Sequence, residues 1–137
     1  MNLLDTDALS LLLAGHAQLR RRVELAGDAA ITVVTRIEIL QGRFASLLKA
    51  ADGAQLLQAQ HWLTENERHL ADWRVLPFDA AAAAEFDRLR AHRRLKKIGR
   101  ADLLIASITA SRRATLVTRN LRHFSQIPGL RVENWAD

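Results

Sequence analysis

The sequence predicts an α/β fold, with a small, largely parallel sheet covered by helices on both faces. Three observations predict it. Short apolar, β-branched runs alternate along the chain with longer stretches of helical period. The helical share is high for so few strand residues, so the sheet is small. At 137 residues, with no repeat, low-complexity linker or composition shift, the chain is expected to form one domain, 1–137.

Asn2 to Asp5 reads as a short buried strand. Asp7 is expected to cap a helix over Ala8–Ala14, and His16–Ala26 continues helical with Leu19, Val23 and Ala26 on one stripe. Gly27-Asp28 is a turn. Ala30–Val34 (AITVV) is the second strand, and Thr35 opens the helix TRIEILQGRFASLLKA. There Thr35 and Glu38 fit a capping box at N-cap and N3. Asp52-Gly53 starts a helical stretch to about His69, and Trp73–Pro77 is a strand. Asp79 caps an alanine-rich helix ending near Arg94. Gly99 breaks the chain before the helix RADLLIASITASR. Thr115–Thr118 is a strand, Asn120–Phe124 a turn, and Arg131–Glu133 a last short strand. Apolar positions of the first and middle helices read as core.

Composition narrows the function classes. There is no cysteine, which excludes a disulfide framework and a thiolate metal site. No run approaches the ~18 apolar residues of a membrane span, and no basic leader precedes an apolar stretch. A soluble cytoplasmic protein with no membrane partner is expected. Twenty Lys+Arg against 15 Asp+Glu give a net charge of +5. Arginine dominates, and its planar fork matches phosphate oxygens better than an ammonium does. Arg88–Arg100 (RLRAHRRLKKIGR) holds seven Lys/Arg and no acid. A solvated helix face explains such a run; a polyanion partner explains it too.

The acids fall at chosen points. Asp5 ends the first strand, Glu38 and Asp102 lie in first helical turns, and Asn120 follows the TLVT strand by two residues. In an open parallel sheet, strand ends and following helix starts share one edge, where ligands bind. Capping and the helix dipole account for Glu38, Asp102 and Asn120 taken singly. They account less well for Asp5, a charge at the rim of an apolar core. An arginine or a metal would compensate it. Oxygen donors without sulfur suit Mg²⁺ or Mn²⁺. Beside an arginine-rich segment, such a site suits phosphodiester hydrolysis.

Four blocks, LLDTDALS, TRIEILQGR, IGRADLLIASITA and LVTRNLRHFSQIPGLRVENW, resemble the PIN-domain ribonucleases, and most closely the VapC-type toxins of bacterial toxin–antitoxin pairs. They occur in the family's order, from Leu3 to Trp135. The resemblance implies a three-layer α/β/α sandwich and a Mg²⁺- or Mn²⁺-dependent endoribonuclease. Its acids match Asp5, Glu38 and Asp102. A fourth position matches Asn120, a neutral amide that ligates without adding charge. Thr6, Asp7 and Thr118 would orient these groups or their waters. Arg100, Arg119 and the Arg88–Lys97 face would contact RNA backbone. His123 stands where relatives can carry another acid; it reads first as an exposed turn histidine and second as a phosphate contact. With three Trp, four Phe and no Tyr, base stacking is minor beside electrostatics. Single-stranded loops of a folded RNA are the expected target. The implied partners are a small antitoxin, whose tail covers the cleft, and a second copy in a homodimer.

Two other readings differ in class. A haloacid-dehalogenase-type phosphatase would use Asp5 and Asp7, but it needs a later lysine and a second acidic pair, and the last strand here ends TRN. A catalytically weak module that binds RNA or sequesters an antitoxin would keep the fold with a diminished metal site.

Overall fold

The computed structural model describes residues 1–137. Strands β1 (Asn2–Leu4), β2 (Ala29–Thr32), β3 (Val75–Leu76), β4 (Thr115–Val117) and β5 (Arg131–Glu133) form one sheet in the order β3-β2-β1-β4-β5. All its pairings are parallel. Helices α1 (Thr6–Leu13), α2 (Ala17–Ala26), α3 (Val33–Lys49), α4 (Gly53–Ala71), α5 (Ala80–Arg90), α6 (Arg100–Ser111) and α7 (Leu121–Phe124) surround it.

The two-residue period of the strands sorts side chains between two cores. Leu3, Ala30 and Leu116, in register across the sheet, pack with Leu89 of α5, Ile105 and Ile108 of α6 and Phe124 of α7. Their neighbours Leu4, Ile31 and Val117 point the other way, against Leu9 of α1, Leu19 of α2, Ile39 of α3 and Leu70 of α4. The sheet is therefore the middle layer of an α/β/α sandwich, as the alternating strands and helices predict. Each fully buried Leu or Ile contributes about 1.5–3 kcal/mol.

From β1 the chain steps to β2 and β3 on one side; β4 and β5 lie on the other. The order reverses between β1 and β4. At such a switch point the connections leave in opposite directions and open a crevice beyond the strand ends. Asp5 follows β1 and Thr118 follows β4, so both stand at its mouth.

Several boundaries differ from the sequence reading. The cap of α1 is Asp5, whose Oδ1 accepts from the Ala8 amide at 2.8 Å; Asp7 is exposed in the first turn. Strand β2 ends at Thr32, and Val33 and Val34 already belong to α3 because their side chains pack against the core beneath it. Thr32, not Thr35, is the N-cap, accepting from the Thr35 amide at 3.2 Å. Glu38 is thus in the second turn and belongs to no capping box. Helix α5 stops at Arg90, and a 3-10 turn at Arg93–Leu95 buries Leu95. The basic run is consequently broken over three local conformations and makes no single helix face. Two of its arginines pair locally, Arg88 with Glu85 at 2.7 Å and Arg90 with Asp87 at 3.5 Å. The Asn120–Phe124 turn is the short helix α7, capped by Asn120. Helix α4 buries only Asn66 and Leu70, while Phe44, Leu48, Leu57 and Trp62 are exposed on α3 and α4 rather than in the core. No helix is long and apolar enough to cross a membrane.

Thr32 is fully buried, and its hydroxyl holds the start of α3. Thr32→Val keeps the shape and removes the acceptor. A loss of about 1–2 kcal/mol is expected, read as a lower urea midpoint at unchanged slope. An unchanged midpoint would show that the cap does not hold α3.

Candidate active site

Asp5 is 4% exposed, and no lysine, arginine or histidine forms an ion pair with it. Burial pushes its pKa from the usual 3.8 up to about 6. The Thr118 hydroxyl and the Ala8 N–H pull it down, because both donate to the carboxylate; the charges of Asp7 and Asp102 push it further up. Asp102, half-exposed in the first turn of α6, is therefore close enough to be felt electrostatically. It lies at the carboxyl edge because α6 runs back from that edge towards β4.

Each remaining acid is held by a neutral or basic neighbour. The Thr6 hydroxyl donates to Oε1 of Glu38 at 2.5 Å. The hydroxyls of Thr6 and Thr35 lie 3.2 Å apart, joining α1 to α3. His123 sits in α7 with Nε2 3.1 Å from Oδ2 of Asp102. It is half-buried and edge-on to Phe124, so the structure corrects the reading of an exposed turn histidine.

The other predicted residues divide. Asn120 accepts from the His123 amide through its side chain and donates through its own N–H to Thr118 Oγ1. It lines a cleft of about 680 Å³ with Asp7, Ser10, Leu11, Arg119 and Asp137. Arg119 borders this cleft and pairs with Asp137 at 3.3 Å. Arg100 lies apart, stacked 5.2 Å from the Phe86 ring centroid, in a separate cavity of about 630 Å³ with Arg90 and Lys96. Glu38 opens into a third cleft, of about 250 Å³, shared with Thr6, Ser10, Arg43 and Asn66. Arg43 and Asn66 carry no motif, and no signal in the sequence singles them out.

As arranged, no three of the His, Asp and Glu side chains are gathered closely enough to hold an ion. The donor chemistry nonetheless fits a hard divalent cation. The set is oxygen-only, and Asp5 is a buried acid under repulsion with no cation to relieve it. Glu38 and Asp102 would exchange Thr6 and His123 for such an ion.

A parallel sheet in this order, with Asp5 following β1, Glu38 on α3 and Asp102 in the first turn of α6, points to the class. The family model described as "PIN domain" matches residues 3–130, and the chain belongs to that family. The tRNA(fMet)-specific endonuclease VapC of Shigella flexneri is 32% identical over 123 residues, covering 88% of this chain and 86% of that protein. Its namesake in Salmonella typhimurium is 30% identical over 138 residues, covering 98% and 97%. Among solved structures, the DNA-bound VapBC complex of Salmonella typhimurium superposes with TM-score 0.84 at 29% identity, over 98% of this chain and 97% of that one. These relatives set the chain in the VapC-type branch.

An ionised, buried Asp5 destabilises the fold. Its folded pKa is the higher one, so the stability it lends is full below about pH 3.8 and lost as pH rises through about 6. The gap corresponds to about 3 kcal/mol at neutral pH. Asp5→Asn keeps an oxygen for the Ala8 amide and carries no charge. It is expected to melt several degrees above the unsubstituted chain at pH 7.5, with the difference vanishing near pH 4. A variant that melts lower at both pH values would contradict this account.

Proposed function

We propose that the chain is the toxin of a toxin–antitoxin pair, a Mg²⁺- or Mn²⁺-dependent endoribonuclease acting in the cytoplasm on a folded RNA. The observation that carries the reading is the buried, uncompensated Asp5 at the switch point, coupled to Asp102. The names of the relatives point to a tRNA as the RNA class. Asp5, Glu38, Asp102 and Asn120 would hold the ion. When bound, such an ion activates water and neutralises charge building on the phosphate.

The chain's own groups do the rest. Thr118 fixes the direction of the Asp5 carboxylate. Thr6 orients Glu38, and His123 orients Asp102. Asp7 adds negative potential beside Asp5, which tightens its demand for a cation. Arg119 at the cleft and Arg100 with its basic neighbours offer guanidinium groups to the RNA backbone. A single-stranded loop fits best, because its bases can be splayed away from a cleft this small.

The relatives of known structure include VapBC complexes, and an antitoxin is the partner proposed here. The exposed apolar side chains of α3 and α4, Leu48 and Leu57 above all at 70% and 72% exposure, suit a protein partner or a second copy in a homodimer. The absence of a gathered set of three ligands favours one rival, a catalytically weak RNA-binding module.

The test is cleavage of a transcript of tRNA(fMet) by the purified chain with Mg²⁺ or Mn²⁺. Cleavage should vanish in EDTA and fall at least about a hundredfold in Asp5→Asn, Glu38→Gln and Asp102→Asn, as loss of charge stabilisation at a reacting centre does. Binding without cleavage, indifferent to metal, would establish the rival instead.

A further inference from the structure

We propose that Arg43, positioned by the buried amide of Asn66, forms a phosphate subsite that holds the RNA beside the Glu38 cleft. This rests on the ribonuclease reading above and extends the substrate path to a face of the molecule that no motif marks.

Asn66 is 4% exposed in the middle of α4, and with Leu70 it is one of two residues that the helix buries. A buried amide is costly unless it is hydrogen-bonded. Here Oδ1 accepts from Nε of Arg43 at 2.7 Å, across the α3–α4 interface. Because Nε–H can only donate, the bond fixes which way the amide faces. It also occupies the inner edge of the guanidinium and leaves the two terminal nitrogens free. Arg43 makes no ion pair, although the chain holds 15 acids and Glu38 lines the same cleft. A fixed guanidinium with an open fork is a phosphate receptor.

Arg43 also borders a second groove, of about 400 Å³, between α3 and α4, with Ser46, Lys49, Gln55, Gln58 and Trp62. No acid lines that groove. The Trp62 ring is half-exposed, its centroid 5.9 Å from Cζ of Arg43. The guanidinium thus stands where a basic, amide-lined groove meets the Glu38 cleft. A strand lying along this path would set one phosphate on Arg43 and one base against Trp62.

Gly42 agrees with this path. It lies inside α3, where glycine costs about 1 kcal/mol relative to alanine. A Cβ there would meet nothing within 4 Å, so close packing does not require the glycine. Instead it lines the cleft beside Arg43 and leaves it open.

The experiment measures binding of a tRNA(fMet) transcript by fluorescence anisotropy. The chain carries Asp5→Asn and is free of metal, so that no cleavage intervenes; salt is varied. Adding Arg43→Gln should weaken binding about tenfold and lower the slope of log K against log salt by about one, the value of one lost phosphate contact. Arg43→Lys should keep the slope and lose part of the affinity. Asn66→Ala keeps the charge but frees it: the slope should stay, and cleavage by the otherwise unsubstituted chain should lose kcat more than it raises KM. Gly42→Leu should block binding without lowering the melting temperature, which separates an obstructed cleft from a damaged fold.

An unchanged slope in Arg43→Gln, with Asn66→Ala altering only the melting temperature, makes the pair a structural clamp and overturns the proposal. So does an effect confined to self-association in sedimentation, which would assign the face to protein. The subsite and the nuclease reading fail separately. Cleavage by the wild type with RNA binding indifferent to Arg43 sinks the first. Arg43-dependent binding without any cleavage sinks the second.

Discussion

A carboxylate without a counter-charge, closed into the end of β1, constrains much of this molecule. Asp5 is N-cap of α1, closes β1 and faces the crevice between β1 and β4. Its surroundings pull in different directions. The Ala8 amide and the Thr118 hydroxyl reward ionisation, while burial and the acids at positions 7 and 102 oppose it. Burial and repulsion outweigh the two donors, which is why its pKa is raised. A purely structural cap would not need this arrangement, since an asparagine or serine caps as well without the charge. Keeping an aspartate there sacrifices stability, and the proposed cation site would be what the sacrifice serves, a trade usual where function requires strain.

The succession of strands and helices along the chain was legible because its signals are long-range averages. The short apolar runs, buried on both faces, and their alternation with helices survive any one misread residue. Caps were less legible, because they turn on single dihedral angles. Asp5 and Asp7 are chemically equivalent caps, and so are Thr32 and Thr35. The chain chose the earlier one in each case because the sheet edge ends there and the next residues are needed in a buried helix. Val33 and Val34 show the same override: β-branched side chains favour a strand, but packing against the core draws them into α3.

The site was legible in composition and not in arrangement. Sequence order indicates which acids share an edge; it does not reveal which hydrogen bond each one makes. The contact of His123 with Asp102 depends on α7 being a helical turn over Phe124, a feature four residues long. Asn66 was invisible for a related reason. It sits in HWLTENERHLA between Glu65 and Glu67, and its burial depends on the packing of α3 against α4. The basic run illustrates the converse. Seven charges in sequence suggested one continuous face, but the buried Leu95 and the break at Gly99 divide the run among three local conformations, with Arg90, Lys96 and Arg100 meeting at one cavity.

The hydrogen bonds of Glu38 and Asp102 set the terms on which these acids meet a cation. Each acid is already satisfied, by Thr6 and by His123, whereas Asp5 has polar donors but no positive charge. An approaching ion therefore gains most from Asp5 and must displace a neighbour to recruit either of the others. Neutral Asn120 adds an oxygen without adding repulsion, so the fourth position does not deepen the conflict among the acids. Thr6 is linked to Thr35, and through it to the Thr32 cap of α3. Movement of Glu38 is consequently coupled to the start of its own helix. Arg43, five residues further along that helix, shares the cleft into which Glu38 opens. Phosphate held at Arg43 and an ion held at Glu38, as proposed above, would thus draw on one element, and α3 would join binding of the substrate to gathering of the acids.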